Sequence, residues 1–353
     1  MDFKTGGHLF GIHRVIEPRG GLPQAAHRLD ANGPANDNEI VIAVDTLNID
    51  SASFHQILGE VGRDEGAVAS RIAAIVAERG KMQNPVTGSG GMLLGTVEAV
   101  GPNYASSQGL VPGEGLAPGD RVATLVSLTL TPLHLDEILK VHVDADQVDV
   151  RGRAYLWPSS PIVALPDDMD ERLALSVLDV CGAPAQTRRL VEGASRVLVI
   201  GAGKSGMLCA ATARDTLGAD AKIYGIDLHD DNLIALQDAG LIDDFRKADA
   251  KVPTEVLDAV LEMTGGELVD VVINTCNVPG TEMAAILPTR DRGTVYFFNM
   301  ATNFARAALG CEGVGKDVDL LIGNGYAHGH AVLTLEIVRK YSVVRERIEA
   351  ILC

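Results

Sequence analysis

A glycine-rich turn between an apolar strand and a helix constrains this chain more than any other feature. Residues Val197–Ile200 predict a buried strand, and Gly201, Gly203 and Gly206 follow it with the spacing of a dinucleotide-binding turn. In such a turn the first glycine permits a sharp bend, the second lets the backbone approach a pyrophosphate, and the third lets the helix lie close to the sheet. The N-terminus of that helix then faces the phosphates. The motif therefore predicts an α/β fold that binds a dinucleotide.

An acidic residue at the end of the next predicted strand indicates which dinucleotide binds. Asp227 follows Gly206 by about 20 residues, where a carboxylate accepts hydrogen bonds from the adenosine ribose hydroxyls. It would repel a 2′-phosphate, and residues 228–231 add further acid and no lysine or arginine. The pattern therefore favours NAD over NADP. We expect NAD to contact the glycine turn, this carboxylate and the ends of two later strands, at Gly201, Ala202, Gly203, Lys204, Ser205, Gly206, Asp227, Thr275, Cys276, Phe298 and Asn299.

The composition excludes several other classes of function. The net charge of −17 disfavours nucleic acid and anionic membranes as partners. No apolar run is long enough to span a membrane, and Met1–Phe10 lacks the basic and apolar regions of a signal peptide. The five cysteines show no paired spacing, which favours reduced thiols. We therefore expect a cytoplasmic protein that acts on a small molecule.

The spacing of apolar residues changes along the sequence, and this change divides the chain into two regions. The first predicts an antiparallel, barrel-like module with strands at 40–44, 95–100 and 121–128 and an amphipathic helix at 66–79. The second predicts a doubly wound parallel sheet, with helices at 170–191, 205–217 and 230–239, strands at 196–200, 222–226, 269–274, 293–299 and 317–323, and a last helix from about Val332. The expected domains are residues 1–165, residues 166–325, and a C-terminal helix in residues 326–353 that closes on the cleft and the first domain.

Motifs in both regions resemble the medium-chain dehydrogenase/reductase superfamily. They are Gly95–Gly101, Ala117–Val122 and the glycines of residues 201–206, in the order that the superfamily has them. The resemblance implies a GroES-like β-barrel catalytic domain and a Rossmann coenzyme domain, with the active site in the cleft between them. It also implies a homodimer that pairs edge strands at about Val318–Gly323, or a homotetramer of such dimers.

The positions that bind zinc in many members of that superfamily are replaced here. Zinc alcohol dehydrogenases carry a Gly-His-Glu-x-x-Gly element, and residues 90–95 of this chain read Gly-Gly-Met-Leu-Leu-Gly. The loop Asn48–Ala52 contains no cysteine, and Cys181 alone cannot hold a catalytic zinc, which needs several protein ligands. We therefore expect no metal, and the chemistry must depend on side chains.

Hydride removal from a carbon that bears a hydroxyl or an ammonium group leaves a proton for a side chain to accept. Asp50 and Asp179 are the leading candidates, although each could instead cap a helix or pair with a cation. His134 is a candidate base or water-orienting group. Arg14 has the forked guanidinium that suits a substrate carboxylate, with a structural ion pair as the alternative. The His328-x-His330 pair is typical of solvated or capping histidines more often than of a metal site.

Other segments narrow the resemblance within the superfamily. Gly11–Gly20, Gly90–Gly101 and Leu178–Pro184 are similar to the L-erythro-3,5-diaminohexanoate dehydrogenases of anaerobic lysine degradation. That resemblance implies oxidation of the 3-amino carbon with NAD, followed by hydrolysis of the imine to 5-amino-3-oxohexanoate and ammonia. Because that substrate carries two ammonium groups and one carboxylate, we assign Asp50 and Asp179 to the amines and Arg14 to the carboxylate. The alternatives are a zinc-free quinone, enone or alcohol oxidoreductase, and a non-catalytic NAD-binding protein.

Overall fold

A computed structural model describes residues 2–104, 115–125 and 127–352. Their contacts form two compact units, Met1–Asp179 and Val180–Cys353. The boundary lies later than the expected one at residue 165, because the helix Glu171–Leu178 belongs to the first unit. The helices at the C-terminus, expected to form a separate region that closes on the first domain, belong to the second unit.

The first unit is built on an antiparallel sheet. A turn of 3-10 helix (Ile12–Arg14) leads into a short hairpin of β1 (Val15–Glu17) and β2 (Arg28–Leu29). The strands of the main sheet are β3 (Ile40–Ile49), β4 (Gly91–Val100), β5 (Arg121–Thr124), β6 (Leu133–His142), β7 (Gln147–Leu156) and β8 (Ile162–Ala164). They lie side by side in the order β6-β7-β3-β4-β5-β8. The helices of this unit are α1 (Ser51–Val61), α2 (Glu65–Arg79) and α3 (Glu171–Leu178). The antiparallel module predicted from the sequence is thus confirmed.

The core of the first unit lies between this sheet and α2. Strand β3 is central, and Ile40–Ile42 are fully buried, as expected of a strand that is covered on both faces. Helix α2 buries Val68, Ile72 and Val76 at helical spacing. The side chain of Asp64 caps its first turn by accepting a hydrogen bond from the backbone of Ala67.

The second unit is a parallel sheet with helices between its strands. Its strands are β9 (Arg196–Ile200), β10 (Lys222–Asp227), β11 (Asp244–Lys247), β12 (Val269–Asn274), β13 (Thr289–Phe297) and β14 (Asp319–Ile322). Its helices are α4 (Gly182–Leu190), α5 (Lys204–Leu217), α6 (Asp231–Asp238), α7 (Pro253–Thr264), α8 (Glu282–Ile286), α9 (Phe304–Val314), α10 (His330–Lys340) and α11 (Ser342–Leu352). The strand order is β11-β10-β9-β12-β13-β14, the order of a Rossmann fold. The order reverses between β9 and β12, and ligands bind at such a point, outside the carboxyl ends of the strands.

Some predicted elements differ from the observed ones. The helix predicted at 170–191 is divided into α3 and α4 by residues 179–181. Pro184 lies in the first turn of α4, where its missing N–H costs no helical hydrogen bond, whereas inside a continuous helix it would break one. The strand predicted at 121–128 ends at Thr124, and residue 126 lies outside the described residues.

The remaining general predictions concern membranes and thiols. In the described part of the chain, no helix is long and apolar enough to cross a membrane. Among the described residues, Cys181, Cys209, Cys276 and Cys311 form no disulfide, and Cys353 lies outside the described residues.

Candidate active site

The turn after β9 has the backbone geometry that its glycines predict. Gly201 has a φ of +94°, and a Cβ at this position would lie 2.8 Å from Oγ1 of Thr275. A Cβ on Gly206 would lie 1.7 Å from the carbonyl oxygen of Gly201, so only glycine permits this approach of α5. A Cβ on Gly203 would meet nothing within 4 Å. That open space lies beside the N-terminus of α5, whose first N–H groups have no partner within the helix and suit a pyrophosphate.

Asp227 directs its half-buried carboxylate toward this turn. Its Oδ2 accepts a hydrogen bond from the backbone N–H of Ala202 at 2.5 Å, and its Oδ1 accepts one from His229 at 3.0 Å. A carboxylate has more acceptor sites than these two bonds use. Asp227 can therefore hold the turn in place and still accept hydrogen bonds from two ribose hydroxyls.

A cavity of about 320 Å³ opens beside the turn and the carboxyl ends of the strands. Its volume lies within the range of about 300–1,000 Å³ that is usual for small-molecule sites. Several predicted coenzyme residues line it, namely Gly201, Gly203, Asp227, Thr275 and Cys276. The other predicted coenzyme residues do not line this cavity, namely Ala202, Lys204, Ser205, Gly206, Phe298 and Asn299.

Charged residues near the cavity come from β11, which the sequence did not predict, and from the turn that follows it. Asp249 and Lys251 line the wall, and the backbone N–H of Lys251 donates to Oδ1 of Asp249 at 2.9 Å. The pairing of β10 with β11 also places Lys247 opposite Asp227, with its Nζ 3.4 Å from Oδ2 of Asp230. Lysines therefore do lie near Asp227, although none follows it directly in the sequence.

Thr275 and Cys276 join the wall of the cavity to the glycine turn. Oγ1 of Thr275 donates to the carbonyl oxygen of Gly201 at 3.1 Å. Burial, with smaller contributions from the carboxylates of Asp227 and Asp249, raises the pKa of the Cys276 thiol to about 12. The thiol is therefore protonated and neutral near pH 7, which suits contact with an uncharged part of a ligand.

Phe298 and Asn299 lie after β13, at the same edge of the sheet. The backbone N–H of Phe298 donates to the carbonyl oxygen of Asn274 at 2.9 Å. Oδ1 of Asn299 accepts from the backbone of Ala301 at 3.1 Å and from the Thr302 hydroxyl at 2.9 Å. Nδ2 of Asn299 also donates to the carbonyl oxygen of Asn274 at 3.4 Å, so both residues lie beside the end of β12, outside the cavity described above.

In the first unit, Asp50 follows the last residue of β3 and caps α1. Its Oδ1 accepts hydrogen bonds from the backbone N–H groups of Ala52 at 3.0 Å and Ser53 at 3.2 Å. The Ser89 hydroxyl donates to the same oxygen at 3.0 Å. The described residues give Oδ2 no hydrogen-bond partner, so one oxygen positions the carboxylate and the other is available to a ligand. Both the helix-capping alternative and a chemical role are compatible with this geometry.

Polar neighbours of Asp50 were missed by the sequence analysis. The hydroxyl of Ser53 lies 2.6 Å from the hydroxyls of both Thr87 and Ser89, and Ser89 connects this network to Asp50. The adjacent Ser51 donates to the carboxylate of Asp146, which lies in the turn between β6 and β7. No motif indicates this cluster, because it forms only through the pairing of β3 with β4 and β7.

Arg14 is not available to a substrate carboxylate, which corrects the assignment made from the sequence. It is 1% exposed and forms two hydrogen bonds to the Glu39 carboxylate, from Nη2 at 2.6 Å and from Nε at 2.8 Å. Its other N–H groups donate to the carbonyl oxygens of Asp30, Gly33 and Pro34. All five N–H donors are thus used, so the structural ion pair is the correct alternative. Burial alone would raise the pKa of Glu39, but hydrogen bonds from Arg14 and His13 lower it to about 2.

His134 lies far from Asp50, although both were expected at one site. It is opposite Arg153 of β7, and Arg153 is opposite Ala43 of β3, whereas Asp50 follows Ile49 at the other end of β3. At about 3.3 Å per residue, the positions of Ala43 and Asp50 along this strand are about 20 Å apart. His134 therefore cannot act on a small substrate that Asp50 holds, and its role as base in that site is corrected.

Asp179 and Cys181 lie in the short connection between α3 and α4. The backbone N–H of Asp179 donates to the carbonyl oxygen of Leu175 at 3.0 Å, as a helix C-cap. Cys181 is 1% exposed, and its carbonyl oxygen accepts a hydrogen bond from the Thr334 hydroxyl at 3.3 Å. Among the described residues, no cluster of histidine, cysteine and carboxylate side chains has the arrangement of a metal site.

The two histidines after β14 have different environments. His328 is exposed, whereas His330 is 3% exposed and its ring packs edge-on against Tyr326 with the centroids 5.0 Å apart. Burial, with a smaller contribution from His328, lowers the pKa of His330 to about 4. His330 is therefore a neutral residue inside the unit, so the two rings do not form the exposed pair of a metal site.

Sequence comparisons agree on one enzyme family. A family model described as the L-erythro-3,5-diaminohexanoate dehydrogenase N-terminal domain matches residues 13–166. The chain is 50% identical over 344 residues to the L-erythro-3,5-diaminohexanoate dehydrogenase of Acetoanaerobium sticklandii, covering 97% of this chain and 98% of the relative. It is also 50% identical over 341 residues to the enzyme of the same name from Fusobacterium nucleatum, covering 96% and 97%.

Solved structures with a similar fold are more distant in sequence. An alcohol dehydrogenase from Thermotoga maritima has a TM-score of 0.55 at 15% identity, covering 88% of this chain and 84% of that one. Galactitol-1-phosphate dehydrogenase from Escherichia coli has a TM-score of 0.51 at 15% identity, covering 90% and 84%. At this identity the likeness supports the fold alone. It agrees with the GroES-like and Rossmann folds expected from the sequence, and the fold class is confirmed.

Proposed function

Because the chain belongs to the L-erythro-3,5-diaminohexanoate dehydrogenase family, we propose that it catalyses the NAD-dependent oxidative deamination of L-erythro-3,5-diaminohexanoate. The products are 5-amino-3-oxohexanoate and ammonia, as in a step of anaerobic lysine degradation. The observation that carries this proposal is 50% identity over 97% of the chain to an enzyme of that name. A cytoplasmic location, where the nicotinamide pool is available, is part of the proposal.

NAD supplies the hydride acceptor when it is bound, and residues of the second unit suit it. The open space at Gly203 fits the pyrophosphate, and Asp227 fits the adenosine ribose, because a carboxylate there accepts bonds from two hydroxyls. Thr275 and Cys276 would contact the adenosine half, and Phe298 and Asn299 would contact the nicotinamide half. The carboxylates of Asp227 and Asp249 beside the ribose favour NAD over NADP, despite Lys251 in the same wall.

The substrate carries two ammonium groups and one carboxylate, and we assign the ammonium groups to acidic side chains. Asp50 offers Oδ2, and its Oδ1 is held by α1 and Ser89. Asp146 places a second carboxylate beside Ser51 at the same end of β3. Asp179 is retained as a further candidate for one of the amines. Paired charges of this kind offset the cost of removing each ammonium group from water.

The reaction requires a proton acceptor before hydride can leave. The ammonium group on carbon 3 loses a proton, and Asp50 is the proposed acceptor. Hydride then leaves the same carbon and a carbon–nitrogen double bond forms. Water adds to that carbon, the carbon–nitrogen bond breaks, and ammonium is released with the ketone. Asp50 in this scheme holds the amine and accepts its proton, which requires the carboxylate to be ionised.

A dimer formed through the parallel sheet is a further part of the proposal. Strand β14 forms one edge of the sheet, so its outer backbone groups can pair with a second copy. Large apolar side chains are exposed on β14 and in the segment that leads from β13 through α9, namely Met300, Phe304, Leu309, Leu321 and Ile322. Exposed apolar surface of this kind favours association.

The proposed reaction is tested by mixing the purified protein with NAD and L-erythro-3,5-diaminohexanoate. The absorbance of reduced nicotinamide and the release of ammonia should rise together in equal amounts. A panel of simple alcohols and quinones, with both oxidised and reduced coenzymes, serves as the comparison. Turnover of a quinone or alcohol without the diamino acid would favour the other oxidoreductase classes, and tight NAD binding without any turnover would favour a non-catalytic NAD-binding protein.

A further inference from the structure

We propose that Asn274 is a positioning residue of the coenzyme site, and that it holds the segments after β12 and β13 in the places where they contact NAD. The inference rests on the proposed function, because it concerns the same coenzyme. Asn274 is the last residue of β12 and is 0% exposed. A polar side chain in such a place is stable only when its hydrogen bonds are made inside the protein.

The side-chain oxygen of Asn274 fixes the segment after β12. Oδ1 accepts a hydrogen bond from the backbone N–H of Cys276 at 3.0 Å. This bond sets the course of the chain through Thr275, whose Oγ1 donates to the carbonyl oxygen of Gly201 in the glycine turn. Residues 275–278 line the coenzyme cavity, and Asn274 does not. The amide therefore acts on the coenzyme only through these residues.

The side-chain nitrogen of Asn274 holds the other end of the same segment. Because the N–H of Cys276 can only donate, the amide oxygen must face it and Nδ2 must face Thr281. Nδ2 donates to Oγ1 of Thr281 at 2.9 Å and lies 3.4 Å from the carbonyl oxygen of Thr281, which is 2% exposed. An amide meets both requirements, whereas a carboxylate would bring a second oxygen to that carbonyl group and an aliphatic side chain would leave the N–H of Cys276 unpaired.

The backbone carbonyl oxygen of Asn274 holds the segment after β13. It accepts hydrogen bonds from the backbone N–H of Phe298 at 2.9 Å and from Nδ2 of Asn299 at 3.4 Å. Glu282, the first residue of α8, holds the far end of this segment, because its Oε1 accepts from the backbone N–H of Asn303 at 2.7 Å. Asn274 and the start of α8 thus connect the segments proposed to contact the two halves of the coenzyme.

The test measures the dissociation constant of NADH from the fluorescence of its nicotinamide, without substrate, so that the result does not depend on turnover. Asn274→Ala should weaken NADH binding by about 10-fold or more, because the segment after β12 loses both of its bonds to the side chain. Unchanged affinity in folded Asn274→Ala would overturn the proposal.

Substitutions of Thr281 test the same network with a smaller change. Thr281→Val removes the hydroxyl that Asn274 contacts, keeps the shape of the side chain, and should weaken NADH binding by about 5- to 10-fold. Thr281→Ser keeps the hydroxyl and should bind NADH as the unmodified protein does. Equal affinity in the two variants would show that this hydrogen bond does not position the site, and would overturn the proposal.

Thr289→Val is the matched control. Thr289 is 0% exposed and its hydroxyl donates to the carbonyl oxygen of Ala285 at 2.8 Å. It begins β13, about 25 Å from the carboxyl end of that strand at about 3.3 Å per residue. Thr289→Val should therefore lose stability as Thr281→Val does and keep its affinity for NADH. An equal loss of affinity in both variants would assign the effect to general destabilisation and overturn the proposal.

The unmodified protein separates this inference from the proposed function. If it binds no NADH, the coenzyme role proposed for the second unit fails, and the inference fails with it. If it binds NADH and the variants of Asn274 and Thr281 bind it equally well, only the inference fails.

Discussion

The carboxylate of Asp227 accepts a 2.5 Å hydrogen bond from the backbone N–H of Ala202, inside the glycine turn. The same turn is fastened from its other side, because Nδ2 of Asn232 donates to the carbonyl oxygen of Ala202 at 2.8 Å. Arg347 of the last helix in turn donates to Asn232 at 2.7 Å. Asp227 thus connects the shape of the phosphate-binding turn with recognition of the ribose, so a change there affects both.

The double substitution Asp227→Ser with Leu228→Arg should shift the coenzyme preference toward NADP. Loss of the carboxylate removes charged hydrogen bonds to the ribose, and KM for NAD should rise by about 10- to 100-fold. Arginine at position 228 adds a partner for the 2′-phosphate. Steady-state kinetics with both coenzymes measure the shift, and Leu228→Arg alone is the control. A preference of the unmodified protein for NADP would contradict the role given to Asp227.

Local patterns in the sequence correctly predict most strands of the parallel-sheet unit. Strands β9 and β12 begin and end where the apolar runs Arg196–Ile200 and Val269–Asn274 predict, because strands buried on both faces are continuous in apolar residues. Strands β6 and β7 were not predicted. In β6, register shifts at Leu135/Glu137 and Ile138/Lys140 break the alternation of buried and exposed residues that would indicate a strand. The neighbours of Arg14 and Asp50 depend on strand register, which no local pattern contains.

Activity should survive prolonged chelation, and the purified protein should contain no stoichiometric zinc. Gly91 and Met92 stand where related zinc enzymes have histidine and glutamate, and residues 48–52 contain no thiol. The remaining thiol, Cys181, is buried at the start of α4. Elemental analysis and turnover before and after chelation are the measurements. One tightly held zinc per chain, lost together with activity, would contradict this prediction.

Glu39→Gln should lower the free energy of unfolding by about 3–5 kcal/mol, because it leaves the buried charge of Arg14 without its partner. Chemical denaturation measures the change. Glu98→Gln, which breaks an ion pair of Glu98 with the more exposed Arg153, should cost about 1 kcal/mol or less.

Arg14 variants that fold should keep the KM for substrate. A large rise of KM without loss of stability would restore Arg14 as a ligand of the substrate carboxylate.

The buried histidine His330 should make the protein less stable in mild acid. Burial lowers its pKa from 6.5 to about 4, so between these values the unfolded chain binds a proton that the folded chain does not. The resulting stability is fully present above pH 6.5 and is lost as the pH falls toward 4, by at most about 3 kcal/mol. His330→Phe should flatten this part of the stability curve, and the same substitution at exposed His55 should not. An unchanged slope in His330→Phe would assign the acid sensitivity to other groups.

Asp50→Asn should lower turnover by about 100-fold or more, as expected for loss of a positioned proton acceptor. Asparagine caps a helix about as well as aspartate does, so the bonds to Ala52 and Ser53 can persist while the negative charge is lost. Thermal stability and the KM for NAD should therefore change little. Asp50→Ala is the matched variant that also removes the cap, and it should lose about 1 kcal/mol of stability in addition.

Asp179→Asn makes the same charge change in the connection between α3 and α4. If Asp50→Asn keeps nearly normal kcat and KM for the diamino acid and Asp179→Asn does not, the proton acceptor is Asp179. If neither variant changes these constants, Asp146 and His328 become the next side chains to test.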